Sequence, residues 1–399
     1  MNEAYIVTAL RTAGGRKGGR LAGWHPADLA AQVLDALVER SGADPAAIDD
    51  VILGCVSQVG EQASNIARNA VLASRLPESV PATSVDRQCG SSQQALHFAA
   101  QAVMSGSMDL VIAAGVESMT RVPMFSPNAL AAKAGLGSSV SPAMQARYPG
   151  VAFSQFSGAE AMARKYGLQR SALDAYAWAS HQRAAAATHA GAFDDEVLPI
   201  KVRGDDGEVG SDLHRIDEGI RLDGSLQGIA GVKPLQEGGC ISAANASQLC
   251  DGASGVLVAS RHGLERLGIA PLARIHHLSV LGHDPVIMLE APIPATERAL
   301  QRAGLRLDDI DLFEINEAFA SVPLAWLQAC GADPARLNVH GGAIALGHPL
   351  GASGTRLMTT LVHALRRHGG RFGLQTMCEG GGMANVTIVE RLGVTAPRP

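Results

Sequence analysis

Four short stretches of this chain carry residues that together could perform acyl transfer. In VDRQCGSSQQAL (85–96), Cys89 stands before Gly90, Ser91 and Ser92, and Leu96, Ala99 and Val103 then share one helical face. A cysteine just before a helix N-terminus meets free backbone N–H groups and the positive dipole end, so a thiolate is expected there. Ser91 or Ser92 is the expected N-cap. In EINEAF, Asn316 and Glu317 follow an apolar strand. GGAIALGHPLGASG (341–354) sets His348 among glycines before a helix, and MCEGGG (377–382) puts Cys378 at a strand end before three glycines. Ligands of open α/β sheets bind at the carboxyl ends of strands, so these junctions could meet in one crevice. There one cysteine would be the nucleophile and the histidine its base. The second cysteine would move a further proton, and backbone N–H groups would hold an oxyanion.

Taken singly, these residues have plainer readings: a buried structural Cys89, a satisfied loop His348, a buried strand Cys378 and a capping Asn316. Zinc is disfavoured because no CxxC or HxxxH spacing occurs. The glycines of GGAIALG do not follow a strand in GxGxxG order, which removes the case for a dinucleotide. His97 and the other four cysteines read as structural.

The elements that must position these groups alternate between strand and helix. AYIVTAL (4–10) reads as a buried strand, 27–40 as a helix stopped by Gly42, VILGCV as a strand, and 65–74 as a helix ending before Pro77. DLVIAAGVES (109–118) is a further apolar run, so the fold class is α/β with a helix-covered, largely parallel sheet. Between about 119 and 248 the pattern changes. Residues 122–157 read as an irregular excursion, Ser171 and Asp174 as a capping box opening an alanine-rich helix closed by Gly191, and 205–224 as a charged surface loop. Patterning resumes at 251–260.

The last third then repeats the first. AAIDDVILGC (46–55) lies on DDIDLFEINE (308–317) at an offset of 310 − 48 = 262. Cys89-Gly90 lies on Leu350-Gly351 at 350 − 89 = 261, and 109–117 lies on 370–378 at the same 261. A duplicated α/β unit with an insertion in the first copy is expected.

Composition sets the limits. A chain of 399 residues with 47% hydrophobic content can bury a large core in two or three domains. A net charge of −5 gives no electrostatic reason for nucleic acid or a membrane surface, and no apolar run is long enough to span a bilayer. MNEAYIVTALRT has no signal-peptide pattern and VTAPRP no SKL-type address. Six sparse cysteines (55, 89, 240, 250, 330, 378) read as reduced, and the expected location is cytoplasmic.

At these residues the sequence resembles the thiolase family. DRQCGSSQQA is similar to its nucleophile motif, NEAF to its water-holding asparagine motif, GGAIALGHPLGASG to its histidine motif and CEGGG to its second-cysteine motif. VDRQCGSSQQA and LQTMCEGGG most resemble degradative 3-ketoacyl-CoA thiolases, including those of actinobacterial steroid breakdown. The resemblance implies two duplicated halves packed face to face. These would be 1–118, completed by 249–270, and 271–399, with a loop domain at 119–248 that holds coenzyme A. It implies a homodimer or homotetramer acting on acyl-CoA, with coenzyme A as a substrate and no resident cofactor or metal.

Cys89, His348, Cys378, Asn316 and Gly380 would be catalytic, the Cys89 and Gly380 amides holding one oxyanion. Ser247, Arg221, Met288, Ala318 and Phe319 would contact coenzyme A or substrate. Two departures stand out. AANASQLCDGA (243–253) replaces the commoner AGNASGLNDGA, and Phe156-Ser157 replaces the His-Met of biosynthetic acetoacetyl-CoA thiolases, a swap expected to open space beside the acyl group. That biosynthetic activity is one alternative; a non-catalytic lipid-binding relative is another. A 3-ketoacyl synthase is disfavoured because it needs a second histidine where Cys378 stands.

Overall fold

The computed structural model describes residues 2–204 and 207–393. VTAPRP (394–399) and the first two residues of the expected loop at 205–224 lie outside the described residues. The first half begins with the buried strand β1 (Tyr5–Thr12) and helix α1 (Pro26–Ser41). Pro26 occupies the first turn of α1, His25 Nδ1 accepts the Ala27 amide, and Gly42 at φ 65° ends it, a left-handed conformation that suits glycine. Then come β2 (Asp50–Gly54), α2 (Ile66–Ala73), β3 (Ala82–Val85), α3 (Ser91–Ser105) and β4 (Leu110–Ser118). Helices α4 (Gln155–Lys165) and α5 (Arg170–His189) belong to the insertion, and β5 (Cys250–Ala259) returns to the first half. The second half holds β6 (Ala273–Gly282), α6 (Pro292–Ala303), β7 (Leu312–Ile315), α7 (Ser321–Cys330), α8 (Ser353–His368), β8 (Phe372–Glu379) and β9 (Met383–Glu390).

The main strands run in the order β7-β8-β9-β6-β1-β5-β4-β2-β3. The halves meet at one corner, where Tyr5 pairs with Arg274 and Ile6 with Ala273. Elsewhere they face one another across α3 and α8, whose Leu96, Val103, Met358 and Leu361 fill a core with Ile6, Val256 and Val389. The expected face-to-face packing is therefore indirect: two helices form the middle layer. They touch backbone to backbone, since a Cβ on Gly354 would lie 2.0 Å from Gln93 N.

Hydrogen bonds fix the duplication at a single offset. The Asp49 carboxylate accepts the amides of Asp109 and Leu110 (2.7 and 2.9 Å), and the Asp311 carboxylate those of Arg371 and Phe372 (2.6 and 2.8 Å). Here 311 − 49 = 262. Val111 opposite Asp50 and Gly373 opposite Leu312 give 373 − 111 = 262 again. The offset of 261 read from the apolar runs is thus one residue short. Cys89 corresponds to Gly351, and Glu117 corresponds to Glu379 rather than to Cys378. Apolar similarity leaves one residue of slack along a run; paired carboxylates do not.

The insertion differs from expectation in three places. Residues 122–157 contain two exposed helices, Ser126–Lys133 and Pro142–Arg147, neither with a buried residue. The capping box does not form: α5 begins at Arg170 without a side-chain cap, and Asp174 is buried, accepting from Arg170 Nε (2.6 Å) and Asn245 Nδ2 (2.9 Å). A tertiary partner has outcompeted the local one. The charged loop is not all surface, because Asp217 is buried and accepts both Arg11 nitrogens (2.8 and 3.1 Å) and the Gly14 amide.

Candidate active site

Cys89 is presented by a tight turn. Gln88 stands at φ 50°, its amide donates to Asp86 Oδ1 (2.7 Å), and Gly90 N–H donates to Arg87 O (3.1 Å). The N-cap of α3 is Gly90, not Ser91 or Ser92. Those serines face other tasks: Ser91 Oγ accepts the Arg87 amide (2.9 Å) and donates to Gln88 O (2.6 Å), while Ser92 Oγ accepts the Thr355 amide of the second half (3.0 Å). Cys89 is half-buried. Desolvation by the surrounding protein, then the nearby Glu379, push its thiol up to about 12. Its own amide pulls the other way but is outweighed. The expected resting thiolate is therefore overturned; the sulfur keeps its proton until a base takes it.

The expected base stands on the other half. His348 is buried, with Nδ1 2.5 Å from Ser353 Oγ. Ser353 Oγ donates to Pro349 O (2.9 Å), so it accepts from His348 Nδ1–H and leaves a lone pair on Nε2. Asn316 Nδ2 donates to that Nε2 at 3.3 Å. Burial, aided by Arg356, holds the imidazole down to about 3, so it is neutral and able to accept a proton. Asn316 Oδ1 is buried without a protein partner, open to a water hydrogen. The neighbouring Glu317 accepts from Tyr176 (2.9 Å), Ser180 (2.7 Å), Asn338 (3.0 Å) and the Ile344 amide (3.2 Å). That carboxylate ties the end of β7 to α5 and to the histidine loop.

Cys378 is buried near the end of β8, where desolvation and then the charge of Cys89 drive its pKa upward. The two thiols are thus electrostatic neighbours. Of the glycines that follow, Gly382 is required by space: at its φ of 76°, a Cβ would lie 2.6 Å from Asp284 O. A Cβ on Gly380 would lie 2.9 Å from Gln88 Oε1, which sets Gly380 beside the residue preceding Cys89.

The remaining expected contacts divide into two groups. Ser247 N–H donates to Ala318 O (2.9 Å), and Ala246 bridges Phe319, clamping 245–247 onto the NEAF turn. Phe319 and the buried Met288 (φ 57°) share a core with Ala318 and Cys378. Phe156 meets Phe319 edge-on, centroids 5.7 Å apart. Ser157 is exposed and its amide donates to Ser154 Oγ. Arg221 is apart from these, on the wall of a cavity of about 720 Å³ with Trp178, His181, Ser225, Gln248 and Ile344. None of Cys89, His348 or Cys378 lines that cavity. Gln248 links the two regions: its Nε2 donates to Gly219 O (2.8 Å) and Ile344 O (2.7 Å), and its carbonyl accepts the His348 amide (3.0 Å).

Residues 4–262 match the family model of the thiolase N-terminal domain, and residues 269–391 that of the thiolase C-terminal domain. The chain belongs to the thiolase family. This thiolase is 52% identical over 394 residues to the steroid 3-ketoacyl-CoA thiolase FadA6 of Mycobacterium tuberculosis, covering 98% of this chain and 95% of that one. It is 43% identical over 404 residues to the 3-ketoacyl-CoA thiolase of Yersinia pestis, covering 98% and 100%. The crystal structure of the Bacillus anthracis acetyl-CoA acetyltransferase superposes with a TM-score of 0.89 at 34% identity, covering 98% and 99%.

Sequence reasoning missed several residues of the thiolase site. Ser353, which sets the histidine tautomer, and Trp178 and His181, which wall the cavity, carry no local signal. Gln248 stood out only as the glutamine of AANASQ where glycine is commoner. Glu117 and Glu379 became comparable only once the offset was 262.

Proposed function

We propose that this chain catalyses thiolytic cleavage of a 3-ketoacyl-CoA by coenzyme A, and the reverse Claisen condensation, in a degradative setting. The observation that carries the reading is the electrostatic coupling of Cys378 to Cys89, with a neutral His348 imidazole of fixed tautomer as the proposed base. His348 Nε2 takes the Cys89 proton as the sulfur adds to the 3-keto carbon. The C2–C3 bond breaks, and the Cys378 thiol protonates the departing acetyl-CoA enolate. The Cys378 thiolate then deprotonates coenzyme A, whose sulfur takes the acyl group from Cys89 and releases the shortened acyl-CoA, while the expelled Cys89 sulfur recovers its proton from His348. The Cys89 and Gly380 amides hold one oxyanion; the imidazolium and a water on Asn316 hold the other.

The 119–248 segment is the coenzyme A holder in this reading, with Arg221 and the cavity beside Trp178 receiving the nucleotide end and Ser247 the pantetheine. Coenzyme A is a substrate, and the chemistry calls for no resident cofactor or metal. The 52% identity to a steroid 3-ketoacyl-CoA thiolase supports an acyl group larger than acetoacetyl. No described helix is long and apolar enough to cross a membrane. The exposed edge strand β3 supports a homodimer or homotetramer.

The test is a thiolysis panel run from acetoacetyl-CoA through medium-chain to ring-derived 3-ketoacyl-CoA, with mass spectrometry of the enzyme. An acyl adduct on the Cys89 peptide and higher kcat/KM for the bulky substrates are expected. Preference for acetoacetyl-CoA would return the biosynthetic alternative. Cys378→Ala should still acylate at Cys89 but fail to complete thiolysis, and loss of acylation there would reverse the two roles.

A further inference from the structure

Glu379 is a buried carboxylic acid set against the Cys89–Gly90 backbone, and the mechanism above does not use it. It is fully buried at the end of β8, and neither oxygen has a hydrogen-bond partner of good geometry. A Cβ on Gly90 would lie 2.0 Å from its Oε1, so the carboxyl group rests on the Cys89–Gly90 backbone. The duplication supplies a contrast. Its counterpart at the 262 offset, Glu117, is equally buried but fully engaged, accepting the amides of Val56 (2.9 Å), Ser57 (3.0 Å) and Gly351 (2.9 Å) and the Gln62 side chain (2.9 Å). Gly351 is the counterpart of Cys89. In the half without chemistry, the carboxylate takes the amide that corresponds to the amide of Cys89. In the catalytic half, that bond is not made.

We propose that Glu379 is a positioning residue that works uncharged: as a neutral acid it leaves the Cys89 amide free for the substrate oxyanion, and once ionised it captures that amide and opposes charge on the sulfur. The inference rests on Cys89 being the nucleophile. Burial keeps the Glu379 proton on to about pH 8. The groups facing it are Arg87 on the turn before α3, whose charge favours ionisation, Cys89 on the same turn, Cys378 on its own strand, and the backbone of Asn385 on β9. No proton leaves Glu379 during turnover. It differs from Cys378 in holding its proton while the thiols exchange theirs.

The experiment measures two rates from pH 6 to 10 in wild type, Glu379→Gln and Arg87→Gln: acylation of Cys89 by acyl-CoA, and alkylation of Cys89 by iodoacetamide, located by peptide mapping. Wild-type acylation should fall above about pH 8, while Glu379→Gln keeps rising. At pH 9 the Gln variant should alkylate faster by about tenfold or more, since a like charge beside the thiolate is gone. Arg87→Gln, lacking the cation that favours ionisation, should move the fall to higher pH, which keeps the inference testable if Glu379→Gln folds poorly. Superimposable profiles for wild type and Glu379→Gln, or a fall moved to lower pH in Arg87→Gln, would overturn it. Failure to acylate Cys89 in any form would instead sink the functional reading, so the two failures are distinguishable.

Discussion

A neutral thiol and a neutral imidazole set the order of events at Cys89. With the thiol raised to about 12 and His348 lowered to about 3, both groups rest neutral, so in the proposed mechanism proton transfer accompanies attack on the carbonyl. Ser353 is then decisive, because its hydroxyl receives the Nδ1–H and steadies the imidazolium as it forms. A hydrogen bond to a charged group contributes about 1.5–3 kcal/mol, so Ser353→Ala should lower the acylation rate roughly 10- to 100-fold with little change in KM. Stopped-flow acylation measures this, and an unchanged rate would mean that another group fixes the tautomer. The same burial makes the fold acid-sensitive. His97 and His348 are held at about 3, and His181 and His340 at about 4. Their folded pKa values lie below the unfolded value of about 6.5, so the unfolded chain binds more protons between pH 6.5 and 3. Stability is present above pH 6.5 and is lost as pH falls through that window. Thermal midpoints should drop from pH 7 to 5, and His97→Gln should flatten that drop.

At the scale of elements, what brings the two halves' residues together is the contact of α3 with α8. Gly354 has no room for a side chain because a Cβ would meet the backbone nitrogen of Gln93 at 2.0 Å, and a backbone atom cannot turn aside. Gly354→Ala should therefore cost about 3 kcal/mol or more and lower the thermal midpoint, whereas Gly60→Ala, with open space around it but φ 59°, should cost only about 1 kcal/mol. Equal midpoints for the two variants would refute the tight crossing. The existence of α3, α8 and their flanking strands was legible in the sequence, because apolar spacing reports which face is buried. The caps were less so. Ser91, Ser92, Ser171 and Asp174 all had local capping chemistry, yet the two of them in contact with distant segments, Ser92 with Thr355 and Asp174 with Asn245, spend their oxygens there. The four chemical motifs were legible from residue type, but the resting charge of Cys89 was not. That depends on desolvation by segments distant in sequence, which no local pattern reports.

At the scale of the whole molecule, the sheet ends on one side at β3, which pairs only with β2. An edge strand presents backbone N–H and C=O groups that another chain can pair with. The helix packed beside it repeats the signal: α3 is buried along most of its length, yet Phe98 is 42% exposed. A large aromatic left open on a helix that contacts the edge strand fits the self-complementary surface of a two-fold dimer. The nucleophile turn follows β3 directly, so a partner strand laid on that edge would also steady Gln88, which is held at φ 50°. The chain mass is 41.3 kDa, so light scattering should report about 83 kDa for a dimer, twice 41.3, or a further doubling for a tetramer. If this face is the dimer interface, Phe98→Glu would bury a charge in it and should shift the protein to 41.3 kDa, because a buried unpaired charge costs several kcal/mol. If the turn depends on the partner, kcat should fall in the monomer while coenzyme A affinity, proposed to reside at the distant cavity, changes little. A wild-type protein that stays monomeric at micromolar concentration, or a Phe98→Glu variant that remains dimeric, would remove this face as the interface.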